Sequence, residues 1–190
     1  MNPVSDEHLD SVLIGGREER PIVIMEYDAD WPSRFDALAL TLKVAIADVA
    51  LSVEHIGSTS VPGLAAKPII DILVTVEDVA NEDSYLGKLE AAGFVLRVRE
   101  AGHRMMRTPQ KDVHVHVFSA GSPEISNYLD IRDWLRVDDK DRSLYAMTKR
   151  NLAQQRWADM NYYAEAKTAV ISEILARARL WREGRKVTGN

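Results

Sequence analysis

The stretch Glu54-His-Ile-Gly-Ser-Thr-Ser60-Val-Pro-Gly-Leu-Ala-Ala-Lys67-Pro-Ile-Ile-Asp71-Ile decides how this chain is read. It joins a short strand, Ser52 to Ile56, to a second one, Ile69 to Val76, through a bend of glycine, hydroxyl residues and proline. The second strand is apolar almost throughout, the pattern of a central strand covered on both faces, and Asp71 is its one acid. Gly57 has no Cβ, so backbone there can approach a ligand closely. The hydroxyls of Ser58, Thr59 and Ser60, with the N–H groups of the bend, can donate to phosphate oxygens. Lys67 could neutralise phosphate charge, and Asp71 could hold a divalent metal bridging phosphate oxygens. A plain polar turn, with Asp71 satisfied by an arginine or by backbone donors, accounts for the same residues.

Outward from the bend, the pattern is that of an α+β chain. Residues 1–20 lack periodicity, contain Gly15-Gly16, and are expected to form an arm with at most a short helical piece. Residues 21–122 form the expected core. It opens with a strand at Ile22–Glu26, then a helix that Asp28 or Asp30 can cap, with Pro32 in its first turn. Trp31, Phe35, Leu38, Leu42, Ala45, Ile46 and Val49 lie on one face of that helix. A helix at Glu82–Ala92 and strands at Phe94–Arg99, His103–Thr108 and Val113–Phe118 follow. Residues 123–190 are expected to be helical and packed on the core as one unit. Helices are predicted at Pro123–Arg136, Lys140–Trp157 and from Asp159 past Trp181, with a frayed end from Gly184 to Asn190.

Composition narrows the classes. The chain of 190 residues is 46% hydrophobic and 28% charged, which is globular rather than disordered, and no apolar run approaches a membrane span. The N-terminus is polar and acidic, and cysteine is absent, so thiolate metal sites are excluded and a cytoplasmic location is expected. A net charge of −5 argues against nucleic acid as the main partner. Neither a Walker-A loop nor Gly-x-Gly-x-x-Gly is present.

The string from Glu54 to Ile72 closely resembles the hallmark segment of GrpB-like proteins, a branch of the nucleotidyltransferase superfamily. Tyr27-Asp-Ala-Asp-Trp-Pro32, His114-Val-His116 and Ile131-Arg-Asp-Trp-Leu-Arg136 resemble further segments of that family, and the likeness covers about residues 22 to 175. The resemblance implies a nucleotidyltransferase-like mixed sheet with flanking helices and a C-terminal helical portion. It supplies no substrate. Some members are fused to dephospho-coenzyme A kinase, which implies a link to coenzyme A biosynthesis.

The superfamily carries two acids spaced two apart on the strand after its Gly-Ser loop. Here the positions two away from Asp71 are Ile69 and Leu73. His114 and His116, themselves two apart, face one side of their strand and are the candidates to complete a metal shell with Asp71. The same imidazoles could bind phosphate, act as a general base, or satisfy a hydrogen-bond network. Arg132, Lys149 and Lys167 are the helical cations available to a triphosphate. Tyr145 and Tyr163 each lie four residues before one of these lysines. The expected function is metal-dependent transfer from a nucleoside triphosphate to an acceptor that the sequence does not name. The expected metal is magnesium or manganese, with zinc favoured by the imidazoles. A nucleotide- or metabolite-binding module without catalysis is the alternative.

Overall fold

A computed structural model describes residues 5–188, and the side chains of residues 5–185. Five strands form one mixed sheet in the order β1-β2-β5-β4-β3. They are β1 (Ser52–Ile56), β2 (Ile70–Val76), β3 (Val95–Glu100), β4 (His103–Arg107) and β5 (Val113–Ser119). The β2–β5 pair is parallel and every other pair antiparallel. Alternation along β2 sends Ile70, Ile72, Val74 and Val76 into the larger core. There they meet Val113, Val115 and Val117 of β5 and Met106 of β4, under helices α2 (Trp31–Ala45) and α3 (Leu86–Ala91). Asp71 and Leu73 therefore face the other way, toward the C-terminal helices. That half-turn per residue places the site.

The second face is covered by α4 (Pro123–Val137), α5 (Asp139–Ala153), α6 (Met160–Glu165) and α7 (Thr168–Thr188). Ile125, Tyr128 and Leu129 of α4 pack on Ile56, Leu73 and Phe118. Leu135, Tyr145, Ala146 and Ile174 enclose Val61 and Leu64 of the bend. An early helix, α1 (Asp6–Val12), seats Leu9 and Leu13 against Val98 of β3.

Five expectations change. The strand at Ile22–Glu26 is reduced to one bridge, Met25 with Ala66, because Pro21 and Pro68 withhold the N–H groups a longer ladder would use. Neither Asp28 nor Asp30 caps α2 through its side chain; Asp28 instead accepts the Asp30 N–H at 2.9 Å. The helix predicted to run to Trp157 stops at Ala153, where the Trp157 indole folds back and donates to the Leu152 carbonyl at 2.9 Å. The last helix is broken between α6 and α7, and the break turns Lys167 onto the Tyr163 ring. The end expected to fray is helical through Thr188, and Gly189 and Asn190 lie outside the described residues.

Candidate metal and anion site

Register brings the three proposed ligands together. Asp71 pairs with His114 across the parallel β2–β5 ladder, and Leu73 pairs with His116. Asp71, His114 and His116 thus share one face. His114 Nδ1 lies 3.4 Å and His116 Nε2 3.8 Å from Asp71 Oδ1. One donor atom from each residue falls within 4.8 Å of the other two. Burial opposes charge on Asp71, but the adjoining His114 and His116 rings outweigh it and hold the carboxyl well below the ordinary carboxylate range.

The glycine of the bend has a sharper role than closeness to a ligand. Gly57 sits at φ +69°, and a Cβ built there would lie 2.4 Å from Asp71 Oδ2. Only glycine leaves room for that carboxylate. The hydroxyls beyond it are engaged within the protein. Ser60 Oγ donates to the Gly57 carbonyl at 2.6 Å, and Thr59 Oγ1 donates to the Ile69 carbonyl at 3.1 Å while facing His55 Nε2 at 3.1 Å. Ser58 Oγ accepts from Lys149 Nζ at 2.9 Å. Gly57, Ser58 and Thr59 line the cavity, whereas Ser60 does not. Ser60 and Thr59 direct their hydroxyl hydrogens to backbone carbonyls, the former within a 3₁₀ turn, while Ser58 meets a cavity lysine.

Three lysines line the same cavity of about 370 Å³. Lys67 and Lys167 both approach the Tyr163 ring, at 5.1 Å and 4.6 Å from its centroid, and Lys149 lies 4.6 Å from that of Tyr145. Lys149 also donates to the Ala65 carbonyl. Burial and then mutual repulsion lower Lys67 to about 8 and Lys149 to about 7, and burial lowers Lys167 to about 8. Gathering depressed ammonium groups in one cavity is costly, and an anion would relieve it. Arg132 is the exception among the expected cations. It lies outside the cavity lining, bonded to Glu54 at 2.8 Å, to Asp133 at 2.7 Å and to the His55 carbonyl at 3.2 Å. It ties α4 to β1.

Two groups of residues at the site lie outside the expected set. Glu18 and Arg20 line the cavity. Glu18 accepts from Arg107 at 2.6 Å and Lys111 at 2.8 Å, and its N–H donates to Asp159 Oδ2 at 2.7 Å. A run Arg17-Glu-Glu-Arg20 looks like solvated surface, and nothing in it signals this latch. Behind His116, His103 Nε2 lies 3.1 Å from His116 Nδ1, and His103 Nδ1 lies 2.7 Å from Glu100 Oε1. The alternation of β4 carried that signal, since His103, Met105 and Arg107 share the cavity face with His116.

The donor set suits a divalent metal of the manganese or zinc kind. Two imidazoles and one carboxylate within 4.8 Å form a three-point donor set, and imidazole nitrogen suits those metals better than magnesium, which prefers oxygen. Among the described residues, no second acid joins Asp71 in the three-residue donor cluster. Leu73 is fully buried among Ile56 and Phe118, and Glu54 is engaged by Arg132.

The family model for GrpB protein matches residues 21–177. A UPF0157 protein of Halalkalibacterium halodurans is 46% identical over 183 residues, covering 93% of each chain. The crystal structure of the conserved protein GrpB from Enterococcus faecalis superposes with a TM-score of 0.74 at 35% identity, covering 84% of this chain and 99% of that one. A dephospho-CoA kinase of Mycolicibacterium paratuberculosis is 30% identical over 190 residues, which is 85% of this chain and 47% of that protein. At 17% identity the structure of the GLD-2/RNP-8 complex gives a TM-score of 0.53, over 76% of this chain and 59% of that one, a likeness of fold alone. The fold is of the nucleotidyltransferase type.

Proposed function

The chain belongs to the GrpB family, and from that premise we propose that it binds a nucleoside triphosphate with a divalent metal and transfers the nucleotidyl group to a small acceptor. The observation that carries this reading is the meeting, in one cavity, of Asp71, His114 and His116 with three lysines, Lys67, Lys149 and Lys167. Asp71, His114 and His116 would hold the metal, which when bound supplies Lewis-acid polarisation of phosphate oxygens. Lys67, Lys149 and Lys167 would bind the phosphate chain, their charge restored by the anion. Gly57 keeps the Asp71 carboxylate in place, and Ser58 orients Lys149. An acceptor oxygen would attack the α-phosphorus, the bond to the bridging oxygen would break, pyrophosphate would leave, and the acceptor proton would pass to water. Catalysis is then positioning and electrostatic stabilisation. The kinship with part of a dephospho-CoA kinase makes coenzyme A precursors the first acceptors to try.

Isothermal titration with ATP, CTP, GTP and UTP in the presence of Mn²⁺, Zn²⁺ or Mg²⁺, followed by a pyrophosphate-release assay, tests the reading. Metal-dependent binding abolished by Asp71→Asn supports it; no binding under any metal defeats it. A second reading, a binding module without catalysis, is favoured by the apolar residues at 69 and 73. Nucleotide binding that needs no metal and survives Asp71→Asn would select that reading.

A further inference from the structure

The ring of His116 is held from behind by a chain that ends in a carboxylate. Glu100 Oε1 lies 2.7 Å from His103 Nδ1, and the other Glu100 oxygen lies 3.8 Å from His8 Nε2. His103 Nε2 lies 3.1 Å from His116 Nδ1. His103 is pinned between neighbours, its ring stacked on Phe118 at 4.5 Å and on His116 at 5.3 Å, within 11° and 7° of parallel. Tyr128 closes over His116 at 5.7 Å between ring centroids.

Directionality then fixes the protons. A carboxylate only accepts, so the Nδ1 of His103 must carry the hydrogen it shares with Glu100. In a neutral ring the other nitrogen is then an acceptor, and His103 Nε2 must receive a hydrogen from His116 Nδ1. A neutral His116 is left with a bare Nε2 lone pair aimed toward Asp71 Oδ1, 3.8 Å away. Two acceptors face each other with no hydrogen between them. A cation between them satisfies both acceptors at once.

We propose that Glu100 and His103 are positioning residues that lock His116 in its Nδ1–H tautomer and present its Nε2 as a preformed metal ligand. This rests on the reading of Asp71, His114 and His116 as a metal site. His103 does not line the cavity; it acts through His116. Outer partners of this kind fix ring orientation and raise ligand basicity, and their loss typically weakens metal binding 10–100-fold.

The test uses full-length protein labelled with ¹⁵N-histidine, metal-free, at pH 8, where ordinary imidazoles are neutral. Wild-type His116 should show a pyrrole-type Nδ1 and a pyridine-type Nε2. His103→Phe keeps the stack on Phe118 but removes the acceptor; it should mix the His116 tautomers and weaken Zn²⁺ binding, measured against a competing chelator, about 10–100-fold. Glu100→Gln retains an accepting oxygen and should keep both the tautomer and the affinity, whereas Glu100→Leu should lose them. An Nε2–H tautomer on wild-type His116, or unchanged Zn²⁺ affinity in His103→Phe, overturns the inference. A wild type that takes up neither Zn²⁺ nor Mn²⁺ overturns the proposed function instead, and the tautomer readout separates the two.

Discussion

Replacing Gly57 with alanine should damage the fold and the metal site together, and the size of the effect follows from two separable costs. The first is backbone. Gly57 lies at φ +69° and ψ −173°, a region nearly confined to glycine, and a side chain there costs on the order of 1–3 kcal/mol. The second is contact. The new methyl would sit 2.4 Å from Asp71 Oδ2, 3.0 Å from its Cβ and 3.1 Å from its Cγ, so either the carboxylate or the bend must move. Displacing the carboxylate from its place beside the two imidazoles adds roughly 1–3 kcal/mol. Together we expect a loss of about 2–6 kcal/mol from the two costs. Gly63→Ala supplies the control: Gly63 has φ +76°, but no atom lies within 4 Å of its built Cβ, so only the backbone cost applies. Urea unfolding of wild type and both variants, with Mn²⁺ titration of each, measures the difference. If Gly57→Ala loses no more stability than Gly63→Ala and binds Mn²⁺ normally, Gly57 does not make room for Asp71 and the geometric reasoning is wrong.

Three further outcomes are expected. Lys149 is lowered from 10.5 to about 7 by burial, so the unfolded chain holds its proton over a range where the folded chain has released it; stability should rise between about pH 7 and pH 10. Lys149→Met should flatten that rise and raise Tm at pH 7 while weakening tripolyphosphate binding, both readable by thermal melts with and without the anion. His55 is buried and lowered from 6.5 to about 4, so it favours the neutral form in the fold, and stability should fall by about 3 kcal/mol as pH drops from 6.5 to 4. His55→Gln, which keeps a donor for Thr59, should remove most of that fall; an unchanged acid profile would contradict the assignment. Arg132→Ala should lower Tm without changing ATP affinity, whereas Lys167→Ala should weaken ATP roughly tenfold with little change in Tm; reversed effects would return Arg132 to the phosphate site.

Much of the site was legible because strand alternation is a strong local rule. A two-residue spacing put His114 and His116 on one side of β5, and the apolar run of β2 marked a central strand, so Asp71 had to lie against a neighbour. Which neighbour was not legible: parallel pairing of β2 with β5 is a long-range event that no local pattern encodes. Lys149 and Lys167 were found because helical spacing ties each to a tyrosine, but Arg132 has similar spacing and points to Glu54, since a partner on β1 is invisible to helical periodicity. The hydroxyls of the bend were read by their capacity to donate, and folding directed them inward. Glu18 and Arg20 were missed because a charged run beside Gly15-Gly16 carries no periodicity.

The central claim is that one cavity holds a divalent metal on Asp71, His114 and His116 and an anion on the three lysines. A crystal structure of the full chain soaked with Mn²⁺ and a non-hydrolysable ATP analogue tests it most directly. Anomalous density for manganese between those three side chains, with phosphate oxygens against Lys67, Lys149 and Lys167, is the result expected. Manganese bound elsewhere, or phosphates seated away from the lysines while Asp71 stays bonded to the two imidazoles, would contradict it.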